Sequence, residues 1–340
     1  MKLHYHSVNS EFKYPFTISK GRTKTHQHAL LVALSLGKFV GFGEAPAIAY
    51  YDITVEKMME DLESKKAFVE KFALTEPERY WHYLHHLFPQ NPFLVCALDM
   101  ACWDLFGKMK GQPLYKLWQT EWRNLPPTDY TIGIDSIEKM TDKLKENPAP
   151  VYKIKLGRAD DIEIMKSLRA ETDKPFRVDV NGGWTLEEAL EKIPQLKELN
   201  VEMIEQPLAK DNWDAMKVLY KESSIALFAD ESCVFESDVE KCVNHFHGIN
   251  IKLTKCSGIT PALRMIKQAR ELNLKVMMGS MNETAIGSAA IANFLPQLDF
   301  VDMDGILLLK SGNTQGLHIE NGVISLSGNA GLGIITQPQS

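Results

Sequence analysis

Two rhythms divide the chain. Over residues 1–46, apolar and polar positions trade places in the short runs KLHYHSV, HALLVALSL and FVGFGEAP, the period of a half-buried strand. The glycine in LGKF supplies a turn between the last two runs. Residues 54–87 are charged and amphipathic, and PFLVCALDMACWDLFGKMKGQPLYKLW then sets Leu94, Ala97, Leu98, Ala101 and Leu105 at helical spacing until Gly111 and Pro113 stop it. A strand meander followed by helices predicts an α+β unit.

From Tyr130 the rhythm changes to short β-branched or apolar runs separated by amphipathic helices: TIGI, VYKIK, FRVDV, MIEQ, ALFAD, GINIKL, KVMMGS and FVDMD. That alternation indicates a parallel sheet with helical crossovers. Two of the helices carry apolar stripes expected to face the sheet, Leu186, Leu190, Ile193 and Leu196 in one and Leu263, Ile266, Ala269 and Leu272 in the other. Eight strands joined by right-handed crossovers predict a closed barrel rather than an open sheet. Beyond Lys310 the chain is rich in Gly, Asn and Ser, with two short β-like runs and no eighth crossover helix. So short a tail cannot bury a core of its own and is expected to return to the first unit. The division that follows is a capping unit at 1–124, a barrel at 125–314 and a returning tail at 315–340.

Composition narrows the class. With 340 residues and a formal net charge of −6, the chain can bury a sizeable core and offers no electrostatic case for nucleic acid. Cys96, Cys102, Cys233, Cys242 and Cys256 are odd in number and lack CxxC spacing, which argues against a disulfide framework or a zinc ribbon and for a reducing, cytoplasmic setting. No run approaches the roughly 20 apolar residues of a membrane span. Homo-oligomer formation is left open.

Charge at the strand ends changes the picture most. YKIK ends in Lys155 with Lys153 two residues before it, and Asp179, Glu205, Asp230 and Lys252 follow at steps of 24, 26, 25 and 22 residues. One strand, loop and helix of an eightfold barrel consume about that many. A lone Asp after an apolar run is ordinarily a solvated strand end, but the carboxyl ends of barrel strands converge on one mouth, so charges at this period meet there. An unpaired buried charge is costly. Three hard oxygen ligands without His or Cys favour Mg²⁺. Lysine is a poor ligand, yet beside a cation and partly desolvated its pKa falls toward the range of a general base. Lys153 and Lys155 share a strand face, and Lys252 comes from across the barrel. Two bases on opposite sides of a held carboxylate suit a 1,1-proton transfer, with cations stabilising the enediolate between the two steps.

These motifs, KIK at 153–155, DVNGGW from Asp179, IEQP from Glu205, ADES from Asp230 and NIKLTKCSGI around Lys252, together with GFGEAP and ALDMACWDLFGKMKGQPLYKLW, resemble the enolase superfamily, muconate-lactonizing subgroup, over essentially the whole chain. The resemblance implies an α/β fold, a modified (β/α)7β TIM-type barrel under an α+β capping domain. It implies Mg²⁺ on Asp179, Glu205 and Asp230, Lys155 and Lys252 as the acid/base pair, and Lys153 tuning Lys155; Asn181 and Glu283 stand behind them. Asp302 and Asp304 in FVDMDGILL are similar to the Asp-x-Asp by which dipeptide epimerases hold a free amino terminus. Arg22 in ISKGRTKTH resembles the loop arginine that meets a substrate glutamate in Ala-Glu epimerases, a pairing that suits a guanidinium fork. Tyr51, beside Tyr50, lies in the second cap loop, where the pair either wall off water from the site or simply pack.

The implied reaction is epimerisation of a dipeptide, L-Ala-L-Glu to L-Ala-D-Glu, in turnover of wall-derived peptides. Its rivals are epimerases of hydrophobic dipeptides, an N-acylamino acid racemase, an o-succinylbenzoate synthase or a muconate cycloisomerase, and, in another class, a non-catalytic ligand-binding barrel. GFG and NGG lack the context of a nucleotide loop. Asp99 and Asp104 are read as structural, and Lys255 as a helix-entry or surface charge.

Overall fold

The computed structural model describes residues 1–18, 22–310 and 315–335, and the side chains of residues 16–18, 22 and 23 lie outside that description. The alternating runs form an antiparallel meander of β1 (Lys2–Ile18), β2 (Arg22–Leu36) and β3 (Phe39–Pro46). β1 and β2 reach further than KLHYHSV and HALLVALSL indicated, because pairing resumes past a register shift between Glu11 and Phe16 and runs on to Ile18 opposite Arg22. The charged stretch breaks into α1 (Val55–Lys71) and α2 (Pro77–Leu87), where Pro77 takes the first helical position and its missing N–H costs nothing. α3 (Pro92–Lys110) starts at Asn91, which accepts from Leu94 N, and ends at Gly111 with φ of 68°.

α3 is the spine shared by both halves. Leu94, Ala97, Leu98, Ala101 and Leu105 join the core of the first unit, while Cys96 and Met100 join the barrel core. The helix lies so close on β3 that a Cβ at Gly41 would stand 2.1 Å from Ala101 O, and one at Gly43 1.9 Å from Ala97 O. The GFG run is therefore a packing seam and not a phosphate cradle.

After the short α4 (Leu114–Leu117), eight parallel strands follow: β4 (Tyr130–Ile132), β5 (Tyr152–Lys155), β6 (Phe176–Asp179), β7 (Val201–Glu205), β8 (Ala226–Ala229), β9 (Gly248–Ile251), β10 (Lys275–Gly279) and β11 (Phe300–Asp302). Between them run α5 (Ile137–Glu146), α6 (Asp161–Arg169), α7 (Leu186–Glu198), α8 (Trp213–Glu222), α9 (Glu236–Val239), α10 (Leu253–Cys256), α11 (Ile259–Glu271) and α12 (Ala285–Ala292), with α13 (Gly305–Leu308) after the last strand. Each strand pairs with its neighbour in sequence. A parallel bridge between Thr128 and Val301 closes the ring, helped by Met303 N donating to Thr128 Oγ1 at 2.9 Å. Inside, Met203, Phe228 and Met277 plug the floor. Arg177 crosses it to reach Asp129 Oδ2 at 2.9 Å and Val301 O at 2.8 Å.

The helix stripes depart from expectation by about one position. In α7 the inward residues are Ala189, Lys192, Ile193 and Leu196, while Leu190 is 37% exposed. Lys192 turns inward because Asp161 Oδ2 receives its ammonium at 2.8 Å. In α11 the fully buried face is Ala262, Met265, Ile266 and Ala269, with Leu263 and Leu272 only partly covered. The tail forms a hairpin, β12 (Leu317–Glu320) with β13 (Val323–Leu326), and then meets the end of α3: Leu114 N donates to Gly331 O, and Leu332 N to Asp104. No helix among the described residues is long and apolar enough to cross a membrane.

Candidate active site

The strand ends bring the charged residues together. Register sets Lys155, Asp179 and Glu205 side by side on β5, β6 and β7, and Asp230 and Lys252 directly follow β8 and β9. β5 and β9 stand four apart in an eight-strand ring, so Lys155 and Lys252 face each other across the mouth. Lys155 Nζ donates to Asp179 Oδ2 at 2.5 Å, and Lys252 Nζ to Asp230 Oδ2 at 2.8 Å. Lys153 Nζ lies one layer deeper, 3.2 Å from Asp179 Oδ2, 2.7 Å from Glu205 Oε2 and 2.6 Å from Asp302 Oδ2.

Exposure sorts the lysines into two kinds. Side chains of Lys155 and Lys252 keep 14% and 11% of their surface open to the mouth, whereas Lys153 and Lys255 keep 2% and 1%. The outer pair can meet a substrate; the inner pair can only act through neighbours.

Burial would raise the Asp179 carboxyl, but Lys155 and Lys153 beside it bring it down to about 2. Asp230 goes the same way, its burial outweighed by Lys252 and Lys255. Glu205 is raised by burial and by Asp179 next to it. Desolvation would lower Lys252, yet Asp230 and Glu205 hold its ammonium well above the usual lysine range. Left as it stands, the mouth is a mutually neutralised lattice of ammonium and carboxylate.

Asp179, Glu205 and Asp230 do not have oxygens all within 4.8 Å of one another; among the described residues the set that does is Asp129, Asp302 and Asp304. Ammonium groups are interleaved between the three strand-end carboxylates. Lys153 Nζ is in reach of both Asp179 and Glu205, and Lys252 Nζ stands 2.8 Å from Asp230 and 3.9 Å from Glu205. Each neighbouring pair of carboxylates thus already shares one cation, and Glu205 Oε2, though close to Lys153, has no well-aligned hydrogen-bond donor. These are hard oxygen donors with spare acceptor capacity, and they fit Mg²⁺ in kind. The deeper set is already occupied by Lys153 on Asp302, Arg177 on Asp129 and Thr131 N on Asp304 Oδ2 at 2.5 Å.

Asp302 is drawn down by Lys153 against the effect of burial, while burial and Asp302 push Asp304 up to about 7. Asn181 accepts from Lys155 at 3.4 Å and donates to Glu231 at 3.3 Å. Glu283 takes Met281 N at 2.6 Å, and burial raises it to about 7. Tyr51 packs on Phe93 at 5.7 Å, and its hydroxyl is raised first by burial and then by Asp230. Tyr50 points outward, 56% exposed. The side chain of Arg22 lies outside the described residues.

One expectation is corrected. Lys255 is not a surface charge: its ammonium is buried and donates to both Asp230 O at 2.6 Å and Asp230 Oδ1 at 2.5 Å. A strand-period reading cannot see it, because it sits three residues past Lys252 inside α10, where the period is helical. Asn250 was also passed over. It lies two residues before Lys252 on the same inward face and donates to Glu205 Oε1 at 2.8 Å, a placement the strand alternation contained. Glu231 beside Asp230 completes the set; burial and Asp230 lift it to about 7.

With this geometry, two family models account for nearly the whole chain: the mandelate racemase / muconate lactonizing enzyme N-terminal domain over residues 2–118 and the enolase C-terminal domain-like model over 136–340. The chain belongs to the enolase superfamily. Within it, the chain is 47% identical to an L-Ala-D/L-amino acid epimerase of Flavobacterium johnsoniae over 98% of its own length and 99% of the relative. The superfamily fold matches a substrate-liganded L-Ala-D/L-Glu epimerase from Bacillus subtilis at a TM-score of 0.92 and 28% identity, covering 98% and 99% of the two chains. A dipeptide epimerase from Cytophaga hutchinsonii, complexed with Mg and D-Ala-L-Val, matches at 0.91 and 25% identity over 99% and 95%.

Proposed function

We propose that this superfamily member is a Mg²⁺-dependent dipeptide epimerase that inverts the α-carbon of the C-terminal residue, with L-Ala-L-Glu to L-Ala-D-Glu as its leading reaction. The observation that carries the reading is the outer lysine pair, Lys155 and Lys252, open to one mouth from opposite walls with three carboxylates between them. Asp179, Glu205 and Asp230 would hold the metal, which when bound offsets their charge and draws electron density from the substrate carboxylate. Lys155 and Lys252 divide the proton work: one, as amine, takes the α-proton from its face, and the other, as ammonium, returns a proton to the opposite face. Lys153, buried behind them, fixes Asp179 and Glu205 in place, and Lys255 does the same for Asp230.

Asp302 holds the free amino terminus, with Asp304 behind it on Thr131 N. Arg22 meets an acidic side chain at the second position, and Tyr51 keeps water from the mouth. A second residue broader than glutamate is the alternative, supported by the 47% identical relative, which is named for L-Ala-D/L-amino acids. Residues 1–124 with the tail 315–340 serve as the cap and 125–314 as the catalytic barrel. A cytoplasmic setting accords with five cysteines that are all free and buried.

Incubation with Mg²⁺ and L-Ala-L-Glu in D₂O, followed by NMR, tests the reading. Deuterium at the glutamyl α-carbon together with a changed configuration is expected; neither appearing across a dipeptide library would refute it.

A further inference from the structure

Lys252 stands at the start of a short, unusual segment. It is the residue before α10, whose four residues Leu253–Cys256 end at Ser257 and Gly258, with φ of 72° and 137°. A non-glycine residue in the left-handed region, followed by a glycine, is a backbone held from outside rather than one that settles there by itself. What holds it comes from the capping unit. Trp81 of α2 donates its indole N–H to Ser257 O at 3.0 Å, with Ser257 Oγ at 3.2 Å. Asp99 of α3, fully buried, accepts from Thr260 N at 2.9 Å and from Thr260 Oγ1 at 2.8 Å. A Cβ on Gly258 would lie 2.4 Å from Asp99 Oδ2, so the turn is seated directly against this carboxylate.

At its other end, the segment bonds back to Lys252 through Lys255 N and Cys256 N, at 3.0 and 3.1 Å on Lys252 O. The cap's grip on Ser257–Thr260 is thus relayed through a single helical turn to the lysine in the mouth. No comparable cap contact reaches Lys155 among the described residues: its hydrogen bonds go to Asp179 and Asn181 of the barrel.

We infer that Asp99, assisted by Trp81, is a positioning residue for Lys252 and not for Lys155, so the capping unit sets one of the two proton-transfer groups. The inference rests on the two-lysine reading above. Its signature is an asymmetry that general loss of stability cannot produce. If each lysine serves one face, displacing Lys252 slows α-proton exchange of one diastereomer and spares the other.

The experiment measures initial deuterium incorporation separately from L-Ala-L-Glu and L-Ala-D-Glu, with Mg²⁺, in the wild type, Lys252→Ala, Asp99→Asn and Asp104→Asn. Lys252→Ala identifies the diastereomer that depends on Lys252. Asp99→Asn is expected to slow that same diastereomer by about tenfold more than the other. Asp104→Asn damages the same helix away from the segment, and is expected to slow both equally. Equal losses in Asp99→Asn beside a one-sided Lys252→Ala would overturn the positioning role alone; equal losses in Lys252→Ala itself would remove the two-lysine reading and this inference with it. Should Asp99→Asn not fold, Trp81→Phe keeps the ring and deletes the donor to Ser257. A loss of about threefold confined to the Lys252-dependent diastereomer supports the role, and an even loss contradicts it.

Discussion

The barrel mouth and the seam between cap and barrel are built from the same unfavourable material, carboxylates taken out of water, yet they satisfy it in opposite ways. At the mouth, Asp179, Glu205 and Asp230 face the ammonium groups of Lys153, Lys155, Lys252 and Lys255. At the seam, Glu44 takes Thr284 N at 2.7 Å, Thr284 Oγ1 at 2.7 Å and Gly287 N at 3.1 Å at the head of α12. Asp99 does the same at the head of α11, and Asp104 binds Phe42 N and Leu332 N while also taking the Lys108 ammonium at 2.7 Å. Backbone amides are fixed donors that do not ionise near neutral pH, so a carboxylate on them locks architecture. Ammonium groups on flexible stems can swing, give up a proton or yield their place to a metal ion, so a carboxylate on them remains available for chemistry. Burial alone does not mark a functional acid; several ammonium partners converging on one mouth do.

The sharpest way to break this contrast is to remove a mouth lysine. Lys155→Ala and Lys252→Ala should each lower epimerisation by about 10³-fold or more while leaving the fold intact by circular dichroism. Retained epimerisation in either variant would sever chemistry from the mouth.

A matched pair of carboxylate changes comes next. Asp230→Asn should weaken Mg²⁺ binding, read by titration calorimetry, by at least about 100-fold, and should also lower Tm because the buried ammonium of Lys255 loses its carboxylate partner. Asp104→Asn should lower stability by about 2–3 kcal/mol and leave Mg²⁺ affinity unchanged. If the two exchanged effects on Mg²⁺ binding, the distinction between mouth and seam would be wrong.

Asp302→Asn probes substrate choice: kcat/KM for dipeptides should fall by about 100-fold, against under about tenfold for N-acyl amino acids, which lack the ammonium. Equal losses would take the amino-terminus role away from Asp302.

Two glycines probe the same contrast through packing alone. Gly43→Ala puts a methyl 1.9 Å from Ala97 O and should destabilise the seam by about 3 kcal/mol with kcat of the folded fraction preserved. Gly279→Ala meets Lys252 Cε at 3.0 Å and both amide atoms of Asn250 at 2.9 Å. It should cost activity before stability, by about tenfold in kcat, as thermal melts and rates measured together would reveal.

The mouth could be read from the sequence because a barrel repeats. Charges recurring at the ends of apolar runs have one place to meet, and Lys155, Asp179, Glu205, Asp230 and Lys252 do meet there. Lys255 does stand at a helix entry, in the first turn of α10, but it is no surface charge, because its partner Asp230, 25 residues earlier, is a contact that only three-dimensional packing reveals. The helix stripes slipped for a related reason. Leu190 looks like core by composition, but the Asp161 carboxylate draws Lys192 inward and rotates the buried face away from it. Barrel closure rests on Thr128, which lies ahead of TIGI in a stretch with no strand pattern. Asp99 and Asp104 were recognisable as structural, yet nothing local in ALDMACWD tells that Asp99 meets Thr260, 161 residues further on.

Proton exchange in the two single-lysine variants tests the central claim most directly. With Mg²⁺ in D₂O, Lys155→Ala should still wash deuterium into one diastereomer of Ala-Glu and Lys252→Ala into the other, neither variant interconverting them. Exchange lost or kept on the same diastereomer in both would mean that the two lysines do not work from opposite faces, and the account would fail.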